Sequence, residues 1–588
     1  MQHPLEADVS QLMALAWGQY QQSDYAGAQK TYAQVLAFQP DHVDALHLRG
    51  VALFQLQHYH VACNFLQFAC KLNPNDASIF SNTGLALRAL KRFAQAVQAY
   101  DTALTLKPDF AQAWANRGNV LRDMGKADLA VESYQKALAL QADFPQALHG
   151  LGLALSDQKL WLQSVAAFDK AIAQKPDYAV AYMDRGNAMR ELERLEDALY
   201  SYDKSLALDP NYAKAWSNRG VVLKNLQRFD AAEQSYRKAI QLQPDFVDAF
   251  VNFATLLKDV LRLPEAIDLN SRAIALDPES PGAHLNVSIC HLLMAEFEQG
   301  LPHYEWRWKT EQLRDGVRSF QQPLWLGSTS IAGKTILLHA EQGLGDTIQF
   351  CRYAPMVAAL GAKVVLEVQP PLMELLQTLN GVDVLVARGQ PLPHFDLHCP
   401  LLSLPLAFKT DVASIPSAPR YLVPEPQRVE RWQQLLGART QPRVGVVWSG
   451  RPEHKNDHNR SIAFAEFAAC LKPGVQYHCL QKEVRASDQA HLDAHPQVTQ
   501  WSQQLHSFAD TAALVECMDY VIAVDTSVAH LAAALGKPVQ LLLPYSPDWR
   551  WILGRNDSPW YPGMQLLRQT ESRQWGPVLE LIGQGYAS

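Results

Sequence analysis

Two short turns in the second half of the chain combine residue types that could carry out group transfer. The first covers residues 341–347, Glu-Gln-Gly-Leu-Gly-Asp-Thr, between a predicted strand and a predicted helix. Its glycines, Gly343 and Gly345, let the backbone bend tightly and approach a ligand, and free N–H groups at a helix start can receive an anion. Both glycines are therefore candidate ligand-binding residues. Asp346 offers a carboxylate for chemistry, but it would also serve as a plain helix N-cap.

The second turn is Asp525-Thr526-Ser527, which ends an apolar strand and begins a helix rich in small residues. Hydroxyl groups and free N–H groups at a helix N-terminus form a site for a phosphate or pyrophosphate, and the helix dipole strengthens it. His530 lies one turn inside the same helix. It is either part of this phosphate site or a histidine at the edge of the core, satisfied by a backbone carbonyl.

Polar and basic residues follow the first strand of the same region, in residues 448–461. Ser449, Lys455 and Arg460 lie in this loop, and Lys482 follows the next strand. Beside a phosphate site, such cations would supply the positive charge that a metal otherwise provides. The alternative is an ordinary solvated loop.

Strands that alternate with helices position these turns. Strands are predicted at residues 335–340, 363–368, 382–386, 443–448, 475–480, 520–524 and 539–543, with helices from the first turn to 360 and at 464–471, 509–517 and 528–535. A proline-rich hinge at 415–426 divides them into two Rossmann-like units, 335–425 and 426–588. Because ligands of parallel sheets bind at the carboxyl ends of strands, the two units are expected to face a cleft.

The first half of the chain is an internal repeat. Proline recurs on a 34-residue grid that is interrupted once, at Ala142; its positions are Pro40, Pro74, Pro108, Pro176, Pro210, Pro244 and Pro278. A glycine grid runs from Gly50 to Gly220 at the same period, where the two helices of a repeat must approach closely. This pattern resembles the tetratricopeptide repeat, which predicts an α-solenoid over residues 9–314 with a concave groove. A tryptophan-rich stretch at 304–308 and 322–327 marks the end of the repeats, and the joint to the next domain covers 315–334.

An asparagine ladder occupies the sixth position of several repeats, on the helix expected to line the groove. Its members are Asn82, Asn116, Asn218, Asn252 and Asn286. Each amide offers a donor and an acceptor together, so the ladder could hold the backbone of an acceptor polypeptide without reading its sequence. The alternative is hydrogen bonding between neighbouring repeats. Gly150 and Asp184 interrupt the ladder.

Composition narrows the function classes. The net charge of −7 comes without a basic stripe, which argues against a nucleic-acid partner. The N-terminus lacks the pattern of a signal peptide, and no apolar run is long enough for a membrane span. Eight scattered cysteines without a Cys-x-x-Cys pair favour reduced thiols. We therefore expect a cytoplasmic protein with no metal site and no cofactor.

The two turns together resemble the bacterial heptosyltransferases, which have the two-Rossmann GT-B fold. The resemblance covers about residues 335–545, with Ser527 where that family usually has glycine. It implies a nucleotide-sugar donor bound by the unit 426–588, an acceptor bound by the unit 335–425 with Gly343 and Gly345, and Asp346 as the catalytic base. Repeats fused to such a domain are similar to O-GlcNAc protein transferases, which carry a similar asparagine ladder, and to bacterial flagellin glycosyltransferases.

The leading interpretation is a protein O-glycosyltransferase that acts on Ser or Thr of a protein held by the repeats, flagellin being one candidate. Without an Asp-x-Asp motif, transfer is expected to be metal-independent and inverting. Two alternatives stay open. The enzyme could transfer to a glycan or lipid, or the chain could be a scaffold with a degenerate transferase domain.

Overall fold

The structure, a computed structural model, describes residues 4–314, 316–454 and 456–582. The chain divides into two compact units, Met1–Ala249 and Phe250–Ser588. The first is entirely helical in its described part. The second begins with the last repeats and continues into two parallel sheets.

Consecutive antiparallel helix pairs form the repeats, so the predicted tetratricopeptide solenoid is confirmed. The helices are α1 Pro4–Gln21, α2 Tyr25–Phe38, α3 Val43–Gln55, α4 Tyr59–Leu72, α5 Ala77–Ala89, α6 Phe93–Leu106, α7 Ala111–Asp123, α8 Ala127–Leu140, α9 Pro145–Asp157, α10 Trp161–Gln174, α11 Ala179–Glu191, α12 Leu195–Leu208, α13 Ala213–Asn225, α14 Phe229–Leu242, α15 Val247–Asp259, α16 Leu263–Leu276, α17 Pro281–Leu293 and α18 Phe297–Tyr304. A 3₁₀ turn, Glu305–Lys309, and α19, Glu311–Arg314, follow them.

The glycine grid has the packing role that its spacing predicts. A Cβ atom placed on Gly84 would lie 2.6 Å from Cζ of Tyr100, which is fully buried on the second helix of the same repeat. Gly186 and Tyr202 make the same close contact. Because no real side chain fits at such a distance, glycine here lets the aromatic ring fill the space between the two helices.

Two parallel sheets follow the last repeats in the described part of Phe250–Ser588, which confirms the predicted α/β class. The strands are β1 Thr335–His339, β2 Lys363–Val368, β3 Val384–Ala387, β4 Leu397–Pro400, β5 Arg443–Val447, β6 Gln476–Cys479, β7 Val498–Gln500, β8 Tyr520–Val524, β9 Val539–Leu543 and β10 Met564–Arg568. The four-stranded sheet has the order β3-β2-β1-β4, and the six-stranded sheet has the order β10-β9-β8-β5-β6-β7. The apolar strands β5, β8 and β9 are almost completely buried in the second sheet.

Short helices connect and cover the strands. They are α20 Leu344–Phe350, α21 Ala354–Ala359, α22 Met373–Leu376, α23 Leu404–Ala407, α24 Pro426–Leu436, α25 Asp457–Arg460, α26 Phe464–Phe467, α27 Ala486–Asp493, α28 Phe508–Glu516, α29 Ser527–Ala534 and α30 Gly576–Glu580. The predicted single helix up to residue 360 is wrong, because a 3₁₀ turn, Cys351–Tyr353, separates α20 from α21. Pro355 has no N–H to continue the helical hydrogen bonds across this point.

A buried cation fastens the segment that links the two sheets. Arg352, only 4% exposed, donates to the carbonyl of Pro416 at 3.1 Å and to the hydroxyl of Tyr421 at 2.9 Å. Its guanidinium also lies 4.4 Å from the ring centre of Tyr561 in the second sheet's region. The linking segment is therefore tied to both sheet units, and the strand ends of the two units are held near each other.

Candidate functional site

The order of the strands places both predicted turns at topological switch points. In the first sheet, the order reverses between β1 and β4, and the turn of residues 341–347 follows β1. In the second sheet it reverses between β5 and β8, and Asp525-Thr526-Ser527 follows β8. The crevice at such a reversal is where parallel α/β sheets bind their ligands.

The helices that begin at these turns, α20 and α29, pack directly on one another. Gly345, in the first turn of α20, lies close against α29. A Cβ atom there would lie 3.0 Å from Cδ2 of His530 and 3.3 Å from Cα of Ser527, both on α29. The absence of a side chain at Gly345 thus allows the two predicted motifs to share one site.

Asp346 has one hydrogen-bonding partner on each side of this site. Its Oδ2 atom accepts from the N–H of Gly343 at 2.7 Å. The prediction of Asp346 as the N-cap is wrong, because Gly343 is the N-cap and Asp346, the third residue of α20, bonds back to its N–H. Its Oδ1 atom accepts from Nη2 of Arg550 at 2.5 Å. The carboxylate therefore caps α20 and also reaches the second sheet's unit, where it meets a cation.

Arg550 lies in a 3₁₀ turn, Trp549–Trp551, that follows β9, and is 5% exposed. Besides Asp346, it donates from Nη1 to Oδ1 of Asp548 at 2.7 Å, and its guanidinium lies 4.8 Å from the ring centre of Trp549. Burial lowers the pKa of Arg550, but Asp548 and Asp346 more than offset this, so its pKa is raised. The side chain stays a cation at every pH at which the protein is folded.

The residues at the start of α29 form a second hydrogen-bonded group. Oδ2 of Asp525 accepts from the indole N–H of Trp551 at 2.9 Å, and Nδ1 of His530 is hydrogen-bonded to the hydroxyl of Tyr561 at 2.9 Å. Burial, followed by the nearby Asp548 carboxylate, raises the pKa of Asp525 to about 6. Burial and the guanidinium of Arg550 hold the pKa of His530 well below its usual range. His530 is thus a neutral hydrogen-bonding group.

The start of α29 keeps polar groups available for a ligand. Thr526 precedes the helix without making a side-chain cap, and its buried Oγ1 atom has no hydrogen-bond partner among the described residues. The first N–H groups of any helix have no partner inside the helix. The hydroxyl of Thr526 and the N–H groups at Ser527 and beyond are therefore suited to an anion such as a phosphate.

The loop after β5 contributes one cation to the same place. Nη1 of Arg460 donates to the backbone carbonyl of Asp525 at 2.8 Å. Its buried Nε atom makes no hydrogen bond in the described part of the chain and lies 3.8 Å from Oδ1 of Asp457. Ser449 is buried and accepts from Nε2 of Gln481 at 3.1 Å, so it shapes the loop from inside. Lys482 is exposed. Lys455 lies outside the described residues.

Most asparagines of the ladder make hydrogen bonds to other residues of the repeats. In the first unit, Asn82 is hydrogen-bonded to Nε2 of His47 at 2.7 Å, and Asn218 donates to Oδ1 of Asn187 at 2.8 Å. Asn116 accepts from Gln112 at 3.2 Å within its own helix. In the second unit, Asn286 donates to Oγ1 of Thr255 at 3.0 Å, and Asn252 lies on α15. These bonds favour the alternative of hydrogen bonding between repeats for Asn82, Asn218 and Asn286.

Sequence reasoning missed the charged groups that surround Asp346. Arg307, in the 3₁₀ turn after α18, is 1% exposed and donates to Oε1 of Glu341 at 2.9 Å and to Oγ of Ser403 at 2.7 Å. Burial raises the pKa of Glu341 to about 7, although Arg307 opposes the shift. The one signal near Arg550 in the sequence is the run Asp-Trp-Arg-Trp at 548–551, which follows a predicted strand.

Protein-family profiles match both the repeats and part of the second sheet's unit. Tetratricopeptide repeat profiles match residues 13–77, 84–125, 118–159, 186–227 and 213–246. The family described as glycosyltransferase family 9 (heptosyltransferase) matches residues 505–551. The chain therefore combines tetratricopeptide repeats with a C-terminal segment that is similar to the family 9 glycosyltransferases. The matched segment contains Asp525, His530 and Arg550.

Individual relatives match parts of this chain. Protein FlbA of Caulobacter vibrioides is 27% identical over 317 residues, which are 49% of this chain and 52% of that protein, so the chain spans about half the length of the curated relative it matches. Among solved structures, the MamA protein is 25% identical over 29% of this chain and 94% of its own, with a TM-score of 0.27. The Cut9–Hcn1 complex of the APC/C is 16% identical over 45% and 52%, with a TM-score of 0.37.

None of the helices among the described residues has the length and apolar character needed to cross a bilayer. A cluster of three or more histidine, cysteine, aspartate or glutamate side chains able to hold a metal ion was not found in those residues.

Proposed function

We propose that this protein is a glycosyltransferase that moves a sugar from a nucleotide-sugar donor to a hydroxyl group of a protein. The observation that carries the proposal is the direct packing of α20 on α29 at Gly345, which brings the Asp346 carboxylate and the phosphate-suited start of α29 into one site. A carboxylate on one side and anion-binding groups on the other are what glycosyl transfer from a nucleotide requires.

In the proposed reaction, the acceptor oxygen attacks the anomeric carbon while the bond from that carbon to the phosphate oxygen breaks. Asp346 takes the proton from the acceptor hydroxyl. The N–H groups at Ser527 and the guanidinium of Arg460 stabilise the negative charge that develops on the departing phosphate. Because these groups supply positive charge, we propose metal-independent, inverting transfer in a GT-B cleft.

Contacts between the last repeats and the catalytic turn support a protein acceptor. The hydroxyl of Tyr304, at the end of α18, accepts from Nε2 of Gln342 at 3.4 Å, next to the glycines of the first turn. Arg307 joins the same turn through Glu341. A polypeptide held by the repeats of Phe250–Ser588 would therefore end close to Asp346. Flagellin is one acceptor to test, by the resemblance described above.

Two less favoured functions remain distinguishable. A transferase acting on a glycan or lipid would modify its acceptor without using the repeats, and a scaffold would bind no nucleotide sugar. Intact Asp346 and an intact 525–530 segment argue against the scaffold. We also propose a cytoplasmic, reducing location, because all eight cysteines are free thiols.

The test is a thermal-shift panel of UDP-, ADP-, GDP- and CMP-sugars, followed by intact-mass analysis of candidate acceptor proteins. One donor class should raise the melting temperature and then add its sugar mass to a protein. The matched variants are Ser527→Asp, whose carboxylate would repel the phosphate and abolish the shift, and Ser527→Ala, which should retain most of it. A chain that responds to no nucleotide sugar, or a Ser527→Asp variant that binds as the parent does, would contradict the proposal.

A further inference from the structure

Arg550 has no role in the proposed reaction, although it is paired with Asp346. Its guanidinium bridges Asp346, from the first sheet's unit, and Asp548, from its own unit. We propose that Arg550 is a positioning residue that holds the Asp346 carboxylate in its catalytic orientation when the two sheet units meet. This inference rests on the proposed function, in which Asp346 is the base.

The turn that carries Arg550 is fixed at both ends to the second sheet's unit. Oδ1 of Asp548 accepts from the backbone N–H of Arg550 at 3.0 Å as well as from its side chain. At the other end, the indole of Trp551 donates to Asp525 at the start of α29. The cation is therefore anchored to the donor-side turn, and its position relative to that turn is defined before it reaches Asp346.

Aromatic side chains restrict the guanidinium further. Trp549 lies beneath it, and the ring centre of Phe350, the last residue of α20, is 5.5 Å from its central carbon. Phe350 and Asp346 are four residues apart on the same short helix. Arg550 thus contacts α20 twice, once through charge and once through a ring, which fixes the rotation of this helix as well as the carboxylate.

The pairing leaves Asp346 able to accept a proton. A carboxylate has about four acceptor positions, and here Gly343 and Arg550 take one on each oxygen. One lone pair on each oxygen remains for the acceptor hydroxyl. Without the guanidinium, Asp346 would lose its only cationic partner among the described residues and would face the Asp548 carboxylate, so its orientation would not be maintained.

The test compares Arg550→Gln and Arg550→Lys in the full chain, each alone and combined with Asp346→Asn. Arg550→Gln should lower the kcat of transfer by about 10²-fold, the cost of a misplaced catalytic group. Arg550→Lys should recover part of it, because an ammonium keeps the charge but not the fork of donors. The calorimetric Kd for the donor nucleotide should stay within about twofold, and in the Asp346→Asn background Arg550→Gln should cause no further loss. Arg555→Gln, at the surface pair with Asp557, is the control.

Unchanged kcat in both variants would overturn the inference. So would a tenfold weaker donor Kd with a further loss of rate in the Asp346→Asn background, because Arg550 would then contact the donor phosphate directly. If Arg550→Gln does not fold, Arg550→Lys with the same readouts decides. If the parent itself neither binds nor transfers a nucleotide sugar, the proposed function fails. In that case a double-mutant cycle in melting temperature between positions 346 and 550 still tests the pairing, and additive effects would overturn it.

Discussion

Asp346 and Arg550 are 204 positions apart in the chain, yet their side chains form an ion pair that joins the two parallel-sheet units. Asp346 belongs to the first helix after β1, and Arg550 belongs to the turn after β9. The carboxylate expected to receive the proton is therefore held by a cation from the side expected to hold the donor. In the proposed reaction, the geometry at the acceptor would depend on the donor-side unit through this pair.

The close approach at Gly345 should be sensitive to a single methyl group. In Gly345→Ala, the new Cβ atom would lie 3.0 Å from His530 and 3.3 Å from the backbone of Ser527, so α20 and α29 must separate. We expect a destabilisation of about 1–3 kcal/mol, as for other overpacked sites, and a loss of turnover at saturating donor. Steady-state kinetics and thermal unfolding check this. Gly576→Ala, with open space around it, should change neither, and equal behaviour of the two variants would contradict the packing described.

The asparagines of the repeats should affect stability before they affect binding. Asn82→Ala removes a bond to His47 and Asn218→Ala removes a bond to Asn187, each worth about 0.5–1.5 kcal/mol. Both variants should unfold at lower temperature. If the ladder also holds an acceptor, the affinity for a protein acceptor should fall while hydrolysis of the donor by water stays constant. Unchanged unfolding with weakened acceptor binding would show that the inter-repeat bonds matter little and that the ladder serves the acceptor.

The buried Glu341 carboxyl makes stability depend on pH. Its pKa in the folded protein is raised to about 7, chiefly by burial, from an ordinary value near 4.5. Between these values the folded protein keeps a proton that the unfolded chain releases, so the stabilising contribution is present below about pH 4.5 and is lost as pH rises through about 7. Glu341→Gln cannot ionise. Its melting temperature should be similar to the parent's at pH 5 and higher at pH 8, whereas a constant difference across this range would contradict the assignment.

Features that depend on residues close together in the sequence could be predicted, and features that leave no local pattern could not. The repeats were predictable because glycine, proline and aromatic positions recur at a period of 34 residues. In five repeats the aromatic ring packs on a glycine of the same repeat, as Tyr100 does on Gly84. Buried strands such as β8 were predictable because they are continuous apolar runs. By contrast, β4 and β7 are short, and β7 is a polar edge strand, so no periodicity marks them.

The same distinction applies to the site. The turns at Gly343–Asp346 and Asp525–Ser527 could be found because glycines or hydroxyls stand next to a strand and a helix start. Arg550 could not be found, because its role follows from a pairing with Asp346 that exists only in three dimensions. Arg307 was missed for the same reason, since its contacts with Glu341 and Ser403 join the end of the repeats to the first sheet's unit.

The most direct test of the account is the rate of sugar transfer by Asp346→Asn under single-turnover conditions with saturating donor. The asparagine keeps the size of the side chain and an oxygen for the Gly343 N–H, but it removes the basicity. The account predicts a fall of about 10²–10⁴-fold in the transfer rate, with folding and donor affinity close to those of the parent. Transfer at nearly the parental rate would contradict it and would leave Asp346 as the cap of α20 alone.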